Sequence, residues 1–529
     1  MAATGASLRI LIGDDWRDGY LDEHRSEADV RIRVRALITV DSLRDLYFVR
    51  GRSLWRLWNY LREVGLLWVV RKVVSRTKES SRNQKYLSAG LGEVIEAPPG
   101  IEIRVGAPVA FVAPCHPRAF ERIVLPVGLV QPLDGALASA APAGAIALAD
   151  GGPVIDGLVT EVGGWSPFSG CRLDPERLRP TLAKVATVLG AQEWSAARHL
   201  AVPDSSAVAE RKGSLRGDTR PTAALFGYGN YGKAIVLTNV RQALRVAAIH
   251  EIDPTLLPTG RDDGILWDTA AFPRADERYD VYLIASYHHT HAPLALHALR
   301  QGATAVIEKP IATNRAQLDE LLAALSATTG RVFAGFHKRY APFNALARRD
   351  LGTGPTDPVH YHAIVFEEPL PARHWYRWPN SCSRIVSNGC HWLDHFLFLN
   401  DWSEPVGLEV SSGPSGTETA NVSVRLANGA FFTLVLTDAG SARVGVRDHI
   451  ELRAGGVTVT IDDSARYLAE NGKRILRRTR VNKMTSYQLM YRTIADRIAR
   501  GETGDTSRSL QVSAGLVLDV EDAFRAAIR

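Results

Sequence analysis

The run Ala223-Ala224-Leu225-Phe226-Gly227-Tyr228-Gly229-Asn230-Tyr231-Gly232-Lys233 constrains the fold more than any other stretch of the chain. An apolar segment feeds a G-x-G-x-x-G loop, and a helical pattern over residues 234–244 follows at once. Gly227 permits a tight turn, Gly229 lets the backbone approach a pyrophosphate, and Gly232 lets helix and strand pack closely. A helix N-terminus behind such a loop presents free N–H groups and a positive dipole end to phosphates. A second apolar run, Val246 to Ile249, then ends in His250-Glu251, which places an acid roughly 20 residues beyond the loop, where a dinucleotide fold holds ribose hydroxyls.

This unit begins more than two hundred residues into a chain of 529, so something substantial precedes it. At roughly 150 residues per domain the length implies about three domains. Hydrophobic residues make up 46% and charged residues 23%, ordinary globular composition. Lys and Arg number 63 against 57 Asp and Glu; no dense basic tract accompanies a recognition motif, so no nucleic-acid partner is expected. Cys115, Cys171, Cys382 and Cys390 form no C-x-x-C pair and fit neither a disulfide scaffold nor a structural zinc site, and no metal is expected. Residues 1–13 lack the pattern of a signal peptide, and the apolar stretch 66–74 is broken by Arg71 and Lys72. The expectation is a cytoplasmic protein without a transmembrane segment.

Within the first part, residues 42–85 read as a basic amphipathic helical insertion, with Leu54, Leu57, Trp58, Leu61, Val64 and Trp68 at helical spacing. Core packing and a membrane-surface role are both open for it. From Gly90 short alternating runs suggest strands at residues 92–96, 101–106, 109–112 and 122–126. The phrases Val105-Gly106-Ala107-Pro108-Val109-Ala110 and Val124-Leu125-Pro126 resemble the GroES-like domain of medium-chain alcohol dehydrogenases over about residues 89–132. Cys115-His116 lacks the partner set that a zinc site of that family needs. A polar stretch at 205–220 marks the boundary.

From Pro221 the pattern alternates strand and helix, as a parallel sheet requires. Strands are expected at 281–286, 304–307 and 331–335, and helices at 291–300 and 317–325. Beyond Tyr340 longer, antiparallel-looking strands follow, with hairpins at Asn428-Gly429 and Gly455-Gly456. Helices over 488–500 and 509–527 close the chain.

Three further phrases line up with the glycine loop: Ser286-Tyr287-His288-His289-Thr290-His291 after a central strand, Glu308-Lys309-Pro310 at the end of the next, and Asn388-Gly389-Cys390-His391-Trp392-Leu393-Asp394 in the following domain. Together they resemble the Gfo/Idh/MocA oxidoreductase family, whose members carry G-x-G-x-x-G, a T-P-N-x-x-H-like turn, E-K-P and D-x-G-x-H-x-x-D on a helix. The resemblance covers residues 221–529. It implies an α/β chain: a Rossmann NAD(P)-binding domain at 220–340 and an α+β substrate-binding and oligomerisation domain with a large mixed or antiparallel sheet at 341–529. A β-rich GroES-like N-terminal domain at 1–215 would precede them.

By position the resemblance implies Lys309 and His391 as catalytic residues. The cofactor-binding set is Gly227, Tyr228, Gly229, Asn230, Tyr231, Gly232, Glu251, Ser286, His288, His291, Glu308 and Lys309. Asp394, Trp375 and Arg339 would stand toward the substrate, with Arg339 also at the domain junction. The cofactor would be NAD or NADP, with Glu251 favouring NAD because a carboxylate repels a 2′-phosphate. The chemistry agrees: oxidising an alcohol needs a group of near-neutral pKa at the hydroxyl and a cation beside the developing alkoxide.

Departures from the pattern are Ser387 where the family has its first acid, the turn at Ser286 without T-P-N, and Ser381 to Arg384 in place of a glycine run. The expected partner is a small sugar-like molecule (sugar, nucleotide-sugar or cyclitol), and a homo-oligomer is expected by analogy. Two alternatives stay open: a nicotinamide-assisted lyase or glycosidase with transient redox, and a catalytically silent nucleotide-binding scaffold.

Overall fold

The structure, a computed structural model, describes residues 29–42, 47–49, 86–97, 103–113, 122–126, 130–132, 171–173, 218–251, 264–268, 271–274, 276–369, 376, 379–413, 418–440 and 446–528. Most of the expected helical insertion, the Cys115-His116 pair and Trp375 lie outside these residues.

In the first part, strands β1 (Asp29–Ser42), β3 (Tyr86–Glu96), β4 (Pro108–Ala113), β5 (Arg122–Pro126) and β6 (Val130–Pro132) form an antiparallel sheet in the order β5-β1-β3-β4-β6. Two expectations fail here. Tyr47–Val49 is strand β2, paired with β7 (Cys171–Leu173), not the start of a helix; aromatic and β-branched side chains suit a pleated surface. Residues 103–107 form the turn between β3 and β4 instead of a strand. Gly106 takes φ +83°, which glycine adopts freely, and its N–H donates to the Val94 carbonyl.

From Thr222 the chain alternates as expected. Strands β8 (Thr222–Phe226), β9 (Arg245–His250), β10 (Leu266–Asp268), β11 (Val281–Ile284), β12 (Thr304–Glu308) and β13 (Arg331–Gly335) make one parallel sheet in the order β10-β9-β8-β11-β12-β13. The strand order reverses between β8 and β11, which opens a crevice at their carboxyl ends. β11 and β12 are buried along their whole length, as strands covered on both faces must be.

The helix after the glycine loop is shorter than its apolar spacing suggests. A π-turn, Gly232–Val236, runs into α1 (Leu237–Val240), and the chain then turns at residues 241–243. Leu244 remains buried in phase with Val240 without being helical, which is why periodicity alone reads through the turn. Helices α2 (His291–Arg300) and α3 (Arg315–Ala327, capped by the Asn314 side chain) cover one face of the sheet.

After α4 (Phe343–Leu351), strand β14 (His360–Phe366) starts the second sheet. The sheet is completed by β15 (Pro405–Ser412), β16 (Ala420–Leu426), β17 (Phe431–Thr437), β18 (Arg447–Ala454), β19 (Val457–Asp462), β20 (Arg466–Asn471) and β21 (Ile475–Arg480). Its order is β15-β16-β17-β14-β18-β19-β20-β21, antiparallel except for the β14–β17 pair, so it is mixed. Burial alternates along β16 and β17, one face packing on α5 (Cys390–Leu399).

The last two helices tie the sheets together. α6 (Thr485–Ala499) returns to the parallel sheet, where Met490, Tyr491 and Ile494 pack with Leu225, Val281 and Phe333. α7 (Ser507–Ala527) joins the core shared by α2, α3 and α5. No described helix is long and apolar enough to cross a membrane.

Candidate functional site

The glycines of the loop after β8 do three different jobs. Gly227 has φ +96°, and a Cβ there would lie 2.3 Å from the Ala285 carbonyl oxygen, against the end of β11. A Cβ on Gly232 would lie 2.3 Å from the Gly227 oxygen, inside the turn itself. A Cβ on Gly229 would meet nothing within 4 Å. The first and third glycines are demanded by the protein's own backbone, whereas the second leaves open space above the loop. That space, at a switch point between parallel strands, fits the pyrophosphate of a dinucleotide.

Around the loop, Glu251 at the end of β9 is buried and accepts the Tyr228 N–H at 2.7 Å, so its carboxylate stands directly beside the loop backbone. The Tyr228 ring meets Trp267 edge-on at 4.9 Å, and Lys233 Nζ lies 4.5 Å from its centre. Asn230 is exposed at the loop's tip. Tyr231 points the other way: its hydroxyl donates to Glu308 Oε1 at 2.8 Å, and the hydroxyl of Tyr491 on α6 donates to the same oxygen. Glu308, expected near the cofactor, is thus the acceptor that latches the glycine loop to α6.

The turn after β11 is held internally. Ser286 and Thr290 share a hydroxyl hydrogen bond of 2.7 Å. The His291 ring lies between two backbone carbonyls, Nδ1 at 2.7 Å from Pro310 O and Nε2 at 3.2 Å from Ser286 O. Burial drops its pKa to about 4, so the ring is a neutral staple between the ends of β11 and β12. A neutral ring has a single N–H, which it donates to Pro310 O, the nearer of the two carbonyls, so His291 ties the turn after β11 to the end of β12. His288 is buried beside it, its ring 4.8 Å from that of Tyr376.

Lys309 leaves β12 at the carboxyl edge and reaches across to the second domain. Its ammonium donates to Ser387 O at 2.6 Å, to Asn388 Oδ1 at 3.1 Å and to the Tyr376 hydroxyl at 3.5 Å. Burial opposes the charge, but Tyr376, Cys390, Glu308 and Glu367 outweigh it and hold the ammonium above its usual range. Ser387, where an acid was missing, therefore serves the lysine through its carbonyl.

His391, in the first turn of α5, is buried with Nδ1 unpartnered. Its ring stands 4.5 Å from that of His337, which in turn stacks on Tyr487 at 3.8 Å. Burial, then His337, Lys309 and Lys338, push its pKa well below the ordinary value, so the resting imidazole is neutral and a weaker base than a solvated histidine. The structure thus brings Lys309 and His391 into one electrostatic neighbourhood.

Asp394 and Arg339 do not face the same space. Asp394 is fully buried, and both its oxygens accept from Arg339, which also donates to Asp505 at 2.9 Å; Ser513 Oγ adds a bond of 2.6 Å. A carboxylate and guanidinium saturated by each other join α5, α7 and the segment after β13, which replaces the substrate role expected of them.

Sequence reading gives Tyr376 as part of a stacking wall with His374 and Trp375, and it missed His337, Trp267, Glu367 and Arg384 as site residues. Tyr376 adjoins the expected Trp375, and His337 follows β13 at the sheet's carboxyl edge, signals that were legible. Glu367 and Arg384 pair at 2.9 Å across a separation no local pattern reveals.

Residues 222–336 match the family Gfo/Idh/MocA, described as an oxidoreductase family with an NAD-binding Rossmann fold. Among solved structures the chain is similar to the UDP-N-acetylglucosamine 3-dehydrogenase of Acidithiobacillus ferrooxidans, at 18% identity and TM-score 0.48, over 59% of this chain and 100% of that one. It is similar to a levoglucosan dehydrogenase in complex with NADH and levoglucosan, at 16% identity and TM-score 0.49, over 58% and 97%. A Bordetella pertussis dehydrogenase in complex with NADH and UDP-GlcNAcA gives 16% identity and TM-score 0.47, over 59% and 97%. The matched segment runs from β8 to the residue after β13, and it is the NAD-binding domain of an NAD(P)-dependent oxidoreductase.

Proposed function

We propose that the protein is a dehydrogenase or reductase acting on a secondary alcohol or ketone of a sugar, nucleotide-sugar or cyclitol, with Lys309 and His391 at the reacting oxygen. The observation that carries this reading is the Lys309 ammonium, held at the carboxyl edge of the parallel sheet beside a neutral, buried His391. The loop from Gly227 to Gly232 and the Glu251 carboxylate would hold the dinucleotide, and Glu251 favours NAD. When bound, the nicotinamide supplies the hydride acceptor or donor.

The chain's own residues manage the proton. His391 has Nδ1 buried without a partner, which leaves Nε2 for a substrate hydroxyl, and a neutral ring there accepts the proton as the alcohol is oxidised. Lys309 stabilises the negative charge that develops on the same oxygen. Its longest contact, 3.5 Å to the Tyr376 hydroxyl, is the one a substrate oxygen would most readily displace.

The same reading takes residues 1–215, 220–340 and 341–529 as the three domains, the first being GroES-like, and the protein as cytoplasmic. Ile364, Phe431 and Val435 are exposed on the second sheet, which supports pairing between copies there.

The test is calorimetric titration with NAD, NADH, NADP and NADPH, followed by a screen of sugar alcohols read at the nicotinamide absorbance. The expected result is tight binding of one oxidised and reduced pair, lost in Gly229→Trp. Absence of binding by all four would overturn the proposal.

A further inference from the structure

Ser387 leaves the helix phrase without its acid, yet a carboxylate reaches the same lysine from another element. Glu367 is the residue that follows β14, and its N–H donates to Thr437 O at 2.8 Å, so the ladder with β17 fixes its backbone. The side chain is buried, 2% exposed. Oε2 accepts from Arg384 Nη1 at 2.9 Å and from Asn388 Nδ2 at 2.8 Å. On the far side, Asn388 Oδ1 accepts from Lys309 Nζ at 3.1 Å.

This chain of bonds has one possible polarity. An ammonium only donates and a carboxylate only accepts, so the Asn388 amide must turn its oxygen to Lys309 and its nitrogen to Glu367. Reversing the amide would set N–H groups against the ammonium and an oxygen against a carboxylate. Asn388 is thus locked, and the lock points one lone pair at Lys309.

Pairing with Arg384 alone does not account for Glu367. Arg384 also donates Nε to Glu418 at 2.8 Å and Nη2 to the Glu368 carbonyl, so its charge is shared between two carboxylates. Glu367 Oε1 is buried with no hydrogen-bond partner. A buried charged oxygen left unpaired is destabilising, and such groups call for an explanation other than stability.

We infer that Glu367 is the positioning residue of Lys309, acting through Asn388 to aim the ammonium and balance its charge in place of the acid absent at Ser387. The inference rests on the proposed role of Lys309 but concerns its placement, which is measurable without a substrate. The groups that face the ammonium are Tyr376, Cys390, Glu308 and Glu367, together with the imidazoles of His288, His291, His337 and His391. Among the described residues, Glu367 is the one of these eight that a hydrogen-bond chain connects to Lys309 through a side-chain amide.

The experiment uses the full chain and trace acetic anhydride, with lysine acetylation followed by peptide mass spectrometry as a function of pH. Exposed Lys473 is the internal reference. In Glu367→Gln and in Asn388→Leu the labelling midpoint of Lys309 is expected to fall by about one pH unit, while that of Lys473 stays put. Asn388→Leu leaves the Arg384–Glu367 pair intact but also removes the direct bond from Lys309, so Glu367→Asp, which keeps the charge and shortens its reach to Asn388, is the second variant if Glu367→Gln does not fold, with the same fall expected. A Glu367 that merely supports Arg384 would leave Lys309 labelling unchanged in Glu367→Gln, or in Glu367→Asp where the first does not fold, and that result would overturn the inference. Dinucleotide titration of the same samples separates the two proposals. Binding with an unmoved Lys309 midpoint sinks the positioning role alone, whereas a moved midpoint without dinucleotide binding sinks the proposed function alone.

Discussion

One added methyl group has opposite consequences at neighbouring glycines of the loop. Gly227→Ala would force a Cβ against the Ala285 carbonyl at a φ of +96°, and Gly232→Ala would force one against the Gly227 carbonyl. Each is expected to destabilise the fold by about 2–4 kcal/mol, from backbone strain and overpacking. Gly229→Ala meets open space and should change stability by about 0.5 kcal/mol or less. Urea unfolding of the three variants tests this; equal losses at all three positions would mean that the space above Gly229 is filled by the protein itself. For the reaction, Lys309→Ala and His391→Ala are each expected to lower kcat by about 10²–10⁴-fold while dinucleotide affinity holds. Steady-state kinetics beside calorimetry checks this, and full activity in both variants would remove these residues from the site.

Elements are joined by a few buried polar contacts; Arg339–Asp394 ties the segment after β13 to α5, and Ser513 on α7 donates to the same carboxylate. Removing one partner strands a buried charge, so Asp394→Asn or Arg339→Met is expected to cost about 3–5 kcal/mol. The double variant Arg339→Met with Asp394→Leu should recover much of that loss, because the fully buried charge is gone and only the half-buried Asp505 loses a partner. Thermal melts of the three proteins test it; a double variant as unstable as the sum of the singles would show that the pair contributes more than mutual neutralisation.

This pair also marks where sequence reading stops. His391 and Asp394 at i, i+3 suggest a shared face, yet α5 is buried almost throughout, so spacing does not tell which side opens on a cleft. Local signals did better where local physics governs. α2 ends at Arg300, where the helix pattern stops, with Gly302 at φ +70° just beyond, and Asn428-Gly429 turns β16 into β17. The glycine loop was legible because its demands are set by its own backbone and by one adjacent strand. Tyr47–Val49 was not, since its strand character depends on a partner, Cys171–Leu173, more than a hundred residues away. Glu367 escaped for the same reason: its meaning lies in Arg384, Asn388 and Lys309, supplied by other elements.

At the scale of the molecule, the site is packed with histidines that the fold keeps neutral. His288, His291, His337, His391 and His395 are all buried, and burial lowers the pKa of each, to about 4 for His291 and about 3 for His395. In the unfolded chain the same rings titrate near 6.5. Below that pH the unfolded state binds more protons than the folded one, so stability must fall as pH falls. The loss continues until the folded rings themselves protonate. Each ring contributes up to about 1.4 kcal/mol per pH unit in that range. Burial also raises the carboxyls of Glu308, Glu367 and Asp394, which take up protons in the folded state before they do in the unfolded one and so oppose the loss. Five rings stand against three carboxyls, so stability is expected to fall between pH 6.5 and 5. Urea midpoints at pH 7.5, 6.0 and 5.0 measure this, and His395→Gln should flatten the dependence by one ring's share. A midpoint that holds steady down to pH 5 would mean that these rings are not neutral in the folded protein. His391 would then be an imidazolium unable to take a proton from an alcohol, so the acid stability of the whole chain also tests the proposed chemistry.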